Sequence, residues 1–90
     1  MAKPFSPAAR RRYDAVRLGI RSRMRATDRS GRITLAELAA ALRAAGYDRS
    51  ERYLRAVLSG EKVSRPALRE ISAAVRAVRA RRERGVPEWL

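Results

Sequence analysis

Ninety residues make one small domain, with a modest core and little stability to spare. The chain has no cysteine and no histidine, which excludes a disulfide framework, a thiolate metal site, and the side chain most used as general base and metal ligand. Twenty-two basic residues against nine acidic ones give a net charge of +13, the balance of a protein that meets a polyanion.

Alanine, leucine and arginine dominate and β-branched residues are sparse, so the chain reads as all-helical, a small bundle of four to five helices. Ser6-Pro7 opens the first helix, serine as cap and proline at the first helical position. Tyr13, Val16, Ile20 and Met24 recur every three or four residues and form its apolar stripe. It is expected to end near Ala26, before the turn-forming run Thr27-Asp28-Arg29-Ser30-Gly31-Arg32.

The next stretch, TDRSGRITLAEL over 27–38, resembles the second half of an EF-hand loop, with Gly31, Ile33 and Glu37 at matching places. A calcium loop needs more. Its first carboxylate position falls on Ala26, and Arg25, Arg29 and Arg32 crowd a site that should be negative. The same letters satisfy a different pattern. Thr34-Leu35-Ala36-Glu37 is a capping box, and Ile33 with Leu38 is a hydrophobic staple. Residues 27–38 are therefore expected to start a helix and to hold no metal. Leu35, Leu38, Ala39, Leu42 and Ala45 make the inward stripe of that second helix, and Gly46 stops it.

The third helix begins after Tyr47, capped either by Asp48 with Glu51 three places on, or by Ser50. Leu54, Val57 and Leu58 face inward and Gly60 ends it. At 100° per residue, Arg49, Arg52, Ala56 and Ser59 lie opposite, flanked by Tyr53 and Arg55. Ser64-Arg65-Pro66 starts the fourth helix, capped by Ser64 or Arg65, with Leu68, Ile71, Val75 and Val78 as its stripe. A charge run through Arg79, Arg81, Arg82 and Arg84 precedes Gly85 and Pro87. The tail over 85–90 carries Trp89 and Leu90, which are expected to pack on this chain or on a second copy.

Twenty of the 22 basic residues are arginine, whose planar fork fits phosphate and base edges. Residues 1–32 carry ten positive and two negative charges, 33–64 five and four, and 65–90 seven and three. The basic ends suit a polyanion gripped by flanking segments, with 1–12 as a basic arm. No acid/base pair, glycine-rich phosphate loop or metal cluster stands out, so neither catalysis nor a cofactor is expected. No apolar run is long enough to span a membrane, and MAKPFSPAARRR has no apolar signal core. The expectation is a cytoplasmic, nucleoid-associated protein.

Two short helices joined by a turn, the second with a basic outer face, are what a helix-turn-helix reader needs. Thr34-Leu35-Ala36-Glu37-Leu38-Ala39, then Ser50-Glu51-Arg52-Tyr53-Leu54-Arg55-Ala56-Val57-Leu58-Ser59-Gly60-Glu61-Lys62, then the amphipathic helix with Leu68 and Ile71, resemble the lambda-repressor/Cro class of DNA-binding domain. The resemblance covers residues 13–80. It implies one helix-turn-helix domain binding double-stranded DNA as a homodimer, a small transcriptional repressor of bacterial or phage type that occupies an operator and excludes polymerase. It implies that Arg49, Ser50, Glu51, Arg52 and Arg55 meet bases. Lys3, Arg10, Arg11, Arg12, Thr34, Tyr53, Ser59 and Lys62 are the expected phosphate contacts. Two alternatives use the same charge. One is a non-specific architectural protein. The other is a module that docks an acidic protein, such as an RNA polymerase subunit.

Overall fold

The computed structural model describes residues 6–25 and 31–84, which form four helices in one bundle. They are α1 (Pro7–Met24), α2 (Leu35–Ala44), α3 (Glu51–Ser59) and α4 (Arg65–Glu83). The arm residue Lys3, the run 26–30 and the tail 85–90 lie outside the described residues.

Each helix starts where a capping side chain takes up a backbone N–H that would otherwise lack a partner. Ser6 accepts from Ala9, Ser50 from Tyr53 and Ser64 from Ala67. Of the two candidate caps for α3, Ser50 therefore fills the role. At α2 the capping box is complete. Glu37 N donates to Thr34 Oγ1 at 3.1 Å, and Thr34 N donates to Glu37 Oε1 at 3.2 Å. Ile33 and Leu38, the staple pair, are both buried.

Glycine ends α2 and α3. After α2, Gly46 takes φ +96°. Its N–H donates to Arg43 O, and the Tyr47 N–H donates to Leu42 O at 2.8 Å. That double return is a Schellman stop, open to glycine because it has no Cβ to clash. Gly60 likewise takes a left-handed φ, +87°, after α3, and its N–H donates to Val57 O, but there Ala56 O accepts from Lys62 N and the Glu61 N–H donates to Ser59 Oγ.

α4 is the strut of the bundle: it packs on α1, α2 and α3, while α3 also packs on α1 and α2. The shared core is one contiguous cluster in which Ile20, Leu38, Leu42, Leu54, Val57, Ile71 and Val75 are fully buried. Burying each such side chain is worth about 1.5–3 kcal/mol. The expected stripes of α3 and α4 are in place, except that Val78 is only partly buried and Ala67 and Ala74 join the core. Ala45 of the α2 stripe is exposed.

α1 departs from its expected stripe. Val16 is 51% exposed, and the inward line runs Tyr13, Arg17, Ile20, Met24. Arg17 is half-buried because α3 ends beside it: its guanidinium donates to Leu58 O at 2.9 Å. α1 ends at Met24 with Arg25 as its C-cap, near the expected Ala26, and the Met24 carbonyl accepts from Ile33 N at 2.8 Å. The arm expected over 1–12 is helical from Pro7 onward, so Arg10, Arg11 and Arg12 ride on a helix.

Candidate nucleic-acid interface

Helix α3 is nine residues long and buries Leu54, Val57 and Leu58. That spacing leaves Glu51, Arg52, Arg55 and Ser59 exposed on its outer side, while Tyr53 and Ala56 are half-buried. The outward face is thus centred on Arg52 and Arg55, rotated from the face expected around Ala56. Among the described residues neither arginine has an ion-pair partner.

The outer side of α3 opens onto a groove of about 560 Å³ bounded by the end of α1 and the start of α2. Its floor is Met24, Ile33, Leu35 and Leu58, and its rim carries Arg21, Arg25, Arg32 and Arg55 against the single carboxylate Glu51. The contact between Met24 O and Ile33 N brings these walls together. Four guanidiniums around one trough offer paired N–H donors to phosphate or carboxylate. Arg21, Arg25 and Arg32 were not among the expected contacts. Arg21 and Arg25 share a face of α1 by their spacing of four, but only the packing shows that this face adjoins α3.

Several expected contacts have other roles. Arg49 does not stand out from α3. It pairs with Glu70 of α4 at 3.2 Å and lies 5.2 Å from the Tyr53 ring centre. Glu70 is only 14% exposed, and a carboxylate so enclosed needs a charged partner. The base-reading role expected of Arg49 therefore competes with a structural ion pair. Tyr53 has a second cation near its ring, with Lys62 Nζ 5.1 Å from the ring centre. Thr34 Oγ1 takes part in the capping box, so its expected phosphate contact competes with Glu37. Ser50 is occupied as a cap, and the Ser59 hydroxyl donates to Ala56 O at 3.0 Å. Arg10 bonds Asp14 at 3.1 Å and reaches Gly60 O. Arg11 and Arg12 are exposed on α1.

The charge run of α4 also turns partly inward. Arg79 donates to Arg23 O at 3.1 Å, and Arg82 donates to Arg32 O at 2.9 Å and pairs with Glu37. Both oxygens of Glu37 are thus engaged, one by Thr34 and one by Arg82. Among the described residues no cluster of three or more acidic side chains is arranged to hold a metal. No described helix is long and apolar enough to cross a membrane.

The link between α2 and α3, residues 45–50, is longer than the three or four residues of a helix-turn-helix turn. No protein-family model, curated protein or solved structure matches the chain.

Proposed function

We propose that this chain is a sequence-specific double-stranded DNA-binding transcriptional regulator of the repressor type. One observation carries the reading: Arg52 and Arg55 are exposed on α3 and have no ion-pair partner among the described residues, beside a groove whose rim adds Arg21, Arg25 and Arg32. A helix about 10–12 Å across fits the major groove of B-DNA. Arg52 then bonds O6 and N7 of guanine, and Glu51 accepts from the cytosine amino group. Arg55 and the arginines of the rim hold phosphates and fix the register. One such helix reads only a few base pairs, so the protein works as a homodimer on inverted half-sites. A protein with this role resides with the nucleoid.

Selection of bound duplexes from a random pool tests this. The expected winner is palindromic. Arg52→Ala relaxes its sequence preference and leaves the salt slope nearly intact. Arg21→Ala or Arg25→Ala weakens all sequences alike and lowers the slope by about one. A pool that shows no enriched sequence removes the specific reading. A second reading, non-specific architectural binding, draws support from the Arg49–Glu70 pair, which occupies one candidate base reader, and from the long 45–50 link.

A further inference from the structure

A second groove, of about 480 Å³, runs between α1 and α4 and shares no lining residue with the first. Its floor is apolar, built on Tyr13, Leu68 and the exposed Val16. Its rims are basic on both sides, with Arg12 on α1 and Arg69 and Arg76 on α4. None of these three arginines has a carboxylate partner among the described residues, and no carboxylate lines the trough. The α4 wall runs from Arg65 to Arg76, about 16 Å at 1.5 Å per residue, or three turns of a docked helix.

We propose that this trough docks an amphipathic helix of a partner protein, one whose apolar stripe is flanked on both sides by Asp or Glu. Leucine-like side chains at i, i+3, i+4 and i+7 lie over Val16, the exposed part of the floor, with the buried Leu68 closing the bed beneath it. The carboxylates meet Arg12 along one edge and Arg69 and Arg76 along the other, as bidentate pairs. Charge complementarity selects this occupant. A second copy of the chain brings the same arginines to the same edge, and like charges at an interface disfavour it. A nucleic acid uses the rim but not the floor, because phosphate has no need of an apolar bed around Val16. Base stacking on Tyr13 is blocked as well, since that ring is 6% exposed and its hydroxyl accepts from Ser64 N at 3.1 Å.

The test uses the full chain and a labelled synthetic peptide of about sixteen residues, leucine-striped and glutamate-flanked, in about 150 mM salt. Its controls are a scrambled peptide of the same composition and a short duplex. The striped peptide is expected to bind at least about tenfold more tightly than the scrambled one. Val16→Ser, and separately the pair Arg69→Glu and Arg76→Glu, are expected to weaken it by about tenfold or more while duplex binding and melting temperature hold. Arg52→Ala with Arg55→Ala is expected to leave peptide binding unchanged, so this surface and the α3 surface fail or succeed separately. Equal binding of the two peptides overturns the proposal. So does unchanged peptide affinity in both groove variants. Loss of duplex binding in the Arg69/Arg76 variant would make the trough a phosphate surface instead, and loss of a dimer in the Val16 variant would make it a self-association face.

Discussion

Thr34 and Glu37 are each fitted to one place by their local bonds. They satisfy two otherwise unpaired N–H groups reciprocally, and Glu37 also receives Arg82 from α4. Thr34→Ala removes one acceptor and is expected to lower stability by about 1 kcal/mol, read from urea unfolding. Glu37→Ala should cost more than Thr34→Ala, because it also removes the carboxylate that pairs with Arg82. Gly60 is constrained twice. Its φ of +87° disfavours any side chain, and an added Cβ would come within 3.1 Å of the Arg17 guanidinium. Gly60→Ala is expected to lose about 1–2 kcal/mol from backbone strain alone. Combining it with Arg17→Ala should relieve the contact but not the strain, so the double variant stays below Arg17→Ala in thermal melting.

Between elements, α1 holds the far end of α3. Arg17 and Arg10 cap the carbonyls of Leu58 and Gly60, where the helix dipole is negative and cations are favoured. Asp14 orients both arginines, at 3.1 and 3.2 Å. The hydrogen bond from Arg10, followed by that from Arg17, holds the Asp14 carboxyl below its ordinary value of 3.8, with partial desolvation opposing them. A carboxyl depressed in the folded state adds stability above its unfolded value and loses it as pH falls through the folded one. The gap in urea midpoint between the parent protein and Asp14→Asn is therefore expected to hold at neutral pH and to close as the pH drops below that ordinary value. A gap that stays constant into strong acid would mean Asp14 acts by shape alone. Amide exchange at residues 59–62 should quicken in Arg17→Ala, since the end of α3 loses its anchor.

For the whole molecule, charge outweighs pairing. Nine carboxylates face 22 cations, and three of the carboxylates, Asp14, Glu37 and Glu70, sit where arginines must be brought inward. The unmatched arginines repel one another across a bundle with a small core. Added salt screens that repulsion over a distance of about 10 Å at 0.1 M. The melting temperature is expected to rise between low and moderate sodium chloride, as followed by circular dichroism. A fall would mean that the ion pairs contribute more than the repulsion costs.

Much of this protein follows from neighbours in sequence. Capping boxes, staples and left-handed glycine stops act within about one helical turn, so Ser6, Thr34, Gly46 and Gly60 mark helix ends without any knowledge of the fold, while the caps of α3 and α4 were narrowed to two neighbouring candidates each and the structure chose Ser50 and Ser64. The Leu54, Val57, Leu58 stripe of α3 was equally legible, since a period of 3.6 residues defines which side is apolar. Only the tertiary structure decided which arginines remain available. Arg17, Arg49, Arg79 and Arg82 look like surface cations in the sequence, yet each is drawn to a carbonyl or carboxylate on another helix. Arg21, Arg25, Arg32 and Arg55 share a groove because the end of α1 and the start of α2 meet beside α3. A periodic pattern reports which side of one helix is apolar. It carries no information on which distant backbone or acid a long, flexible guanidinium will reach, because that depends on how the helices cross.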